Sequence, residues 1–158
     1  MELKELYQEI ILDHGKNPRN HGKCDKFNRD AKGHNPLCGD KVHIYLKLNT
    51  EQIVENVSFE GEGCAISLAS ASILTETIKG KNFNVAKKII NDFLNMIKNE
   101  VKITINSLSD DQKTTIMSLS GVKKFPMRVK CATMAWHTLT SALGEKNDWF
   151  KKKNNWGS

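Results

Sequence analysis

Near the N-terminus, apolar positions recur at helical spacing. Leu3, Leu6, Tyr7, Ile10 and Ile11 fall on one helix face. Gly15 is expected to cap this helix and Pro18 blocks its continuation. Residues 16–34 are polar and turn-rich and read as a loop carrying at most one short strand. The period then drops to two. Val42, Ile44, Leu46 and Leu48 alternate with Lys41, His43, Tyr45 and Lys47, which predicts a strand with one buried face. After a turn at Asn49-Thr50-Glu51, the run Ile53, Glu55, Val57, Phe59 predicts its hairpin partner, ending in Glu60-Gly61-Glu62-Gly63-Cys64.

A helix is expected just beyond Cys64. Ala65, Ser67, Ala69, Ser70, Ala71 and Ser72 give it a thin face, Ile66, Ile73, Leu74 and Ile78 give it bulk, and Gly80 stops it. Val85, Ile89, Phe93 and Ile97 predict the next helix. Residues 100–108 alternate through Val101, Ile103 and Ile105 and are ambiguous. Ser109 with Gln112 resembles a capping box for a helix from 110 to about 119. A last helix starts near Pro126, presents Val129, Ala132, Trp136, Leu139 and Leu143, and closes at Gly144. The pattern is α+β, with one domain over residues 1–144 and a charged tail over 145–158.

Composition narrows the setting. The chain has 158 residues, 39% of them hydrophobic and 27% charged, as in an ordinary globular protein. No apolar run is long enough to span a membrane, and Met1-Glu2-Leu3-Lys4-Glu5 carries charge where a signal peptide needs an apolar core. A cytoplasmic location without membrane association is expected. There disulfides are disfavoured, and the four cysteines, Cys24, Cys38, Cys64 and Cys131, are either small core residues or metal and thiol chemistry. The net charge of +6 comes from lysines that are scattered except for Lys151-Lys152-Lys153, so it gives no specific sign of nucleic-acid binding.

Three cysteines fall at element ends. Cys38 sits in NPLCGD, residues 35–40, one residue from Asp40 across Gly39. Cys64 sits at a strand-to-helix junction, and Cys131 in what reads as the first turn of the last helix. Helix N-termini favour thiolate, which is both ligand and nucleophile. Three thiolates and one carboxylate suit tetrahedral zinc and would give a formal site charge of −2, which Arg128 and Lys130 could offset. The spacings are too wide to prove such a site, and Arg128 and Lys130 read equally well as a solvated helix start. Cys24 lies in the early loop without a partner motif.

The motifs taken together are more specific. Leu6-Tyr7 through Asp13-His14, Asn17-Pro18-Arg19-Asn20, NPLCGD, Phe59 through Ser67, and Phe125 through Thr133 occur in an order that resembles the IscU/NifU-like iron–sulfur assembly family, over residues 3 to about 143. Scaffold members have a His just before the third cysteine. Here Lys130 stands there, and the stretch around 99–122 is longer, which resembles the SufU type of sulfur carrier. The resemblance implies a SufE/IscU fold: an antiparallel sheet of about three strands packed against five to six helices. It implies zinc held by Cys38, Asp40, Cys64 and Cys131. Cys38 would accept persulfide sulfur from a SufS-type cysteine desulfurase and pass it to downstream scaffold proteins. Asp40 is a candidate to assist, as is Arg128 on the charge argument above. The partner would donate a histidine that displaces one cysteine from the metal. Such a protein is a sulfurtransferase-type carrier rather than a conventional turnover enzyme.

Two other readings stay open. The same three cysteines could build an iron–sulfur cluster as a scaffold, although a protonated Lys130 cannot ligate. Zinc could instead stabilise a binding module without chemistry. His14, His34 and His43 are candidates for the site's surroundings, His21 and His137 are not, and Met127 and Met134 are expected to affect packing alone.

Overall fold

Every second residue of Val42–Leu48 is buried, and this alternation organises the fold. The computed structural model describes residues 2–36, 39–99, 103 and 107–144. Its sheet has three antiparallel strands in the order β1-β2-β3, with β1 at Arg29–Asn35, β2 at Asp40–Leu48 and β3 at Val54–Glu62. The register pairs Asn35 with Asp40, Gly33 with Val42, and Ile44 with Phe59.

The helices are α1 (Leu3–Lys16), α2 (Ala65–Ile78), α3 (Phe83–Asn99), α4 (Asp110–Met117) and α5 (Pro126–Ala142), with a 3-10 turn at Ser118–Lys124. Helix α5 lies across β1 and β2, α2 packs on β3 and α5, and α1 packs on α2. The core is completed by Trp136 stacked on Phe93, with ring centroids 4.0 Å apart.

Several local expectations hold for physical reasons. Ser109 accepts from the Gln112 backbone while the Gln112 side chain accepts from the Ser109 N–H, completing the capping box. Pro126 opens α5, and Gly144, at φ 88°, follows its end.

Three boundaries differ from the sequence reading. Gly15 does not cap α1, which continues to Lys16. It lies inside the helix, where a Cβ would stand only 3.2 Å from the Ala65 carbonyl, so a small residue suits the close approach of α2. The segment read as a loop contains a seven-residue strand, β1. Its inward positions are Ala31, Gly33 and Asn35, small because α5 presses directly on them, and a Cβ on Gly33 would collide with the Thr138 hydroxyl. Helix α4 stops at Met117 and gives way to the 3-10 turn. Most of the ambiguous stretch 100–108 and the whole tail 145–158 lie outside the described residues.

Candidate metal and thiol site

Asp40 is the first residue of β2 and is fully buried. A carboxylate there needs partners, since an unpaired buried charge is costly. Its Oδ1 accepts the backbone N–H of Cys64 at 3.0 Å. Its Oδ2 faces the Cys64 thiol, with Sγ 3.9 Å away. One oxygen is thus fixed by backbone while the other is presented to sulfur.

Cys64 is the N-cap of α2, half-buried, and its side chain makes no cap bond. The Asp40 carboxylate satisfies its N–H instead. This requires close approach by residue 63. Gly63 has φ 148°, and a Cβ on it would overlap the Asp40 carboxylate. Cys131 lies one turn further into α5 than the sequence suggested. It is fully buried in the second turn, so the helix N-terminus does not expose it.

Ser70 brings the two cysteine-bearing helices together. Its Oγ donates to the Ala132 carbonyl at 2.5 Å and accepts from Trp136 Nε1 at 2.9 Å. The ligand atoms of Asp40, Cys64 and Cys131 then lie within 4.8 Å of one another, and they form the one such group among the described residues. Around one tetrahedral zinc, sulfur–sulfur and sulfur–oxygen separations would be about 3.5–3.8 Å, from the usual bond lengths. The three residues would fit a single ion after closing by up to about 1 Å.

The Arg128 guanidinium reaches the same sulfurs. Cys64 first, then Cys131, holds its pKa above the ordinary value, through charge and hydrogen bonding. Arg128 is therefore a neutralising group at the site, although its side chain is exposed. Lys130 is half-buried. Cys38, predicted as the fourth ligand and sulfur acceptor, lies outside the described residues.

The histidines stand apart from this group. His14 is buried and bonded to Ser72 through Nδ1 at 2.7 Å, and burial followed by Arg19 lowers its pKa. His43 faces Asp30 at 2.6 Å on the outer face of the sheet, which His34 shares. His21 packs edge-on against Phe59. Burial lowers the pKa of His137 to about 4. Cys24 is buried and stands outside this group.

Two features of the site were not anticipated. Gly63 is a cradle for Asp40, and its signal is the repeated glycine of Gly61 and Gly63 just before a cysteine. Met127, expected to matter for packing alone, is solvent-exposed next to Arg128.

The chain matches the family model described as NifU-like N terminal domain over residues 6–154. It is 41% identical over 145 residues to a zinc-dependent sulfurtransferase, SufU, of Bacillus subtilis, covering 91% of this chain and 93% of that one. It is 34% identical over 142 residues to an iron–sulfur cluster assembly scaffold protein, IscU, of Streptococcus pyogenes, covering 90% and 85%. A crystal structure of a putative SUF-system scaffold protein from Fervidobacterium islandicum superposes with a TM-score of 0.75 at 34% identity, covering 88% and 97%. With the family model matched over residues 6–154 and relatives matched along nearly the whole chain, the chain belongs to the NifU-like N-terminal domain family.

Proposed function

We propose that this chain is a zinc-dependent sulfur-transfer protein of iron–sulfur cluster assembly. It accepts persulfide sulfur on Cys38 from a SufS-type cysteine desulfurase and hands it to downstream scaffold proteins. On this reading residues 1–144 act as one domain, 145–158 are a tail, and the protein works in the cytoplasm. No described helix is long and apolar enough to cross a membrane. The observation that carries the proposal is the convergence of one carboxylate with two thiols under a guanidinium. Mixed oxygen and sulfur ligands suit zinc. The ion would be held by Cys38, Asp40, Cys64 and Cys131. When bound, it would keep the thiols deprotonated at neutral pH.

The rest of the chemistry falls to this chain's own groups. The Cys38 thiolate attacks the outer sulfur of the donor persulfide. A new S–S bond forms to Cys38 as the donor's S–S bond breaks, and the donor cysteine leaves as thiolate. One sulfur atom moves, total oxidation state is conserved, and no further reactant is needed. Asp40 stays fixed by the Cys64 N–H, and Arg128 balances negative charge on the sulfurs.

The test is persulfide mapping. The zinc-loaded chain is mixed with a SufS-type desulfurase and cysteine, thiols are trapped, and the added sulfur is located by mass spectrometry. Sulfur on Cys38 with zinc retained is expected, and a Cys38→Ser variant that accepts sulfur normally would refute the assignment. A second reading, a cluster scaffold, is favoured by the Streptococcus pyogenes relative's name and by the same thiols. It predicts sulfur uptake only after iron replaces zinc, and a transferable cluster after anaerobic reconstitution.

A further inference from the structure

We propose that the groove beside Cys64 is the seat for an acidic, apolar-faced segment of the protein that delivers sulfur. The proposal rests on the sulfur-transfer reading and adds where, and by what chemistry, the partner is gripped. The groove runs between the first three turns of α1 and the segment joining the 3-10 turn to α5. Leu3, Tyr7 and Ile11 line one side, Phe125 and Met127 the other, and Cys64 lies in its wall.

Exposure marks it as a contact surface. Leu3, Phe125 and Met127 are 59%, 60% and 56% exposed, and they account for all but Leu12 of the large hydrophobics exposed among the described residues. An apolar patch concentrated in this way on a globular protein marks an interaction site. The groove's volume of about 1330 Å³ exceeds that of an ordinary small-molecule pocket. It suits a peptide segment, such as an amphipathic helix laid along it.

Charge selects the occupant. Lys4, Lys124 and Arg128 line the groove, and among the described residues no carboxylate does. An occupant flanked by Asp or Glu is attracted and steered, whereas a basic one is repelled. The chain's own tail carries four lysines against Glu145 and Asp148 and is the wrong sign. A second copy, at net charge +6, is the wrong sign as well. Cys64 and Arg128 belong to both the groove and the thiol site, so a segment seated there brings its protein up to the sulfurs.

The test uses the full chain and two synthetic peptides of about 16 residues, long enough for some four helical turns. One carries a Leu/Phe stripe flanked by Glu, and the other has Lys in place of every Glu. In a heteronuclear NMR titration the acidic peptide is expected to shift the amides of Tyr7, Ile66 and Met127 and to leave the outer sheet face at Lys32 and His43 unchanged. The Lys peptide should bind at least about tenfold more weakly, and the acidic one should weaken about tenfold between low and high salt. Met127→Glu, on an exposed side chain, should weaken it by about tenfold or more without unfolding the chain. Equal binding of the two peptides, no binding near 1 mM, about the weakest affinity worth calling specific, or shifts on the sheet face would overturn the proposal. So would a self-association that Met127→Glu abolishes.

A desulfurase titration links the groove to sulfur. With a Lys124→Glu/Met127→Glu variant, the chain concentration for half-maximal stimulation should rise about tenfold, while Cys38 still takes sulfur at saturation. Unchanged stimulation would overturn the docking proposal and leave the carrier reading intact. Failure of the unaltered chain to take sulfur on Cys38 would remove the carrier reading, and the peptide titration then decides the groove by itself.

Discussion

Replacing Gly63 by Ala tests the site at one methyl group. The new Cβ would overlap Oδ1 and Cγ of Asp40, and the backbone at φ 148° is one that L side chains rarely adopt. The backbone strain costs about 1–3 kcal/mol. Pushing Asp40 aside weakens its bond to the Cys64 N–H, a charge-assisted contact worth about 1.5–3 kcal/mol. Together these give about 3–5 kcal/mol, or about 10 °C in Tm for a chain of this size. The metal should suffer more than the fold, because the displaced carboxylate is itself a ligand candidate.

Two measurements check this. Thermal unfolding of metal-free protein reports the strain, and competition with a chromophoric chelator reports zinc affinity. A double-mutant cycle separates the causes. In an Asp40→Ala background the overlap with the carboxylate disappears and only a 3.1 Å approach to the residue-40 Cα is left, so Gly63→Ala should there cost little beyond the backbone strain, about 1–3 kcal/mol. A Gly63→Ala protein with unchanged Tm and unchanged zinc affinity would refute the cradle. Equal costs in both backgrounds would show that the glycine serves the backbone alone.

Other outcomes follow from the same geometry. Arg128→Gln should retain one zinc per chain and slow sulfur uptake about tenfold in single-turnover persulfide labelling, because the cation faces both thiols without being a ligand. Arg128→Lys should recover part of that rate. His137 is lowered by burial to about 4 from 6.5, so the unfolded chain binds the proton more readily. Its contribution is complete above about pH 6.5 and is lost as pH falls toward 4, by up to about 3 kcal/mol. Urea titrations of metal-free protein across that window should show the slope, and His137→Gln should flatten it. Cys24 is 6% exposed and outside the metal-capable group, so Cys24→Ser should leave zinc stoichiometry intact and cost about 1–3 kcal/mol for the buried hydroxyl.

Much of the architecture was legible because burial left a period. β2 and β3 alternate, α3 repeats at helical spacing, and Ser109, Pro126, Gly80 and Gly144 mark ends with their own chemistry. β1 escaped because its buried positions are small rather than apolar, a demand set by α5 and not by the strand itself. The same holds for Gly15, whose role is clearance for Ala65, far away in sequence. At the site, Asp40, Cys64 and Cys131 were readable as residue types and as a resemblance. Their convergence was not readable from spacing, since it depends on β2 starting beside the α2 N-terminus and on Ser70 bridging α2 to α5. Nor could the sequence place Cys131 in a fully buried turn, where it is set deeper than Cys64.

That difference in depth bears on how a carrier could hold its metal and still react. Asp40 is held by a backbone N–H, Cys131 sits inside a helix within the core, and Cys64 starts α2 with its N–H engaged. Asp40 and Cys131 belong to regular elements and Cys64 is the N-cap of one, so moving any of them disturbs a strand or a helix end. Cys38 differs in sequence position alone, falling between the last residue of β1 and the first of β2, which are paired as Asn35 and Asp40. On the proposed reading, three residues retain the ion while the fourth exchanges into the transfer reaction. Metal retention and sulfur acceptance then become separable properties. Cys38→Ser should abolish sulfur uptake and leave measurable zinc binding, whereas Cys131→Ser should lose zinc and destabilise the fold together. Equal zinc loss in both variants would place all four ligands on the same footing, and the division between anchoring and reacting residues would fail.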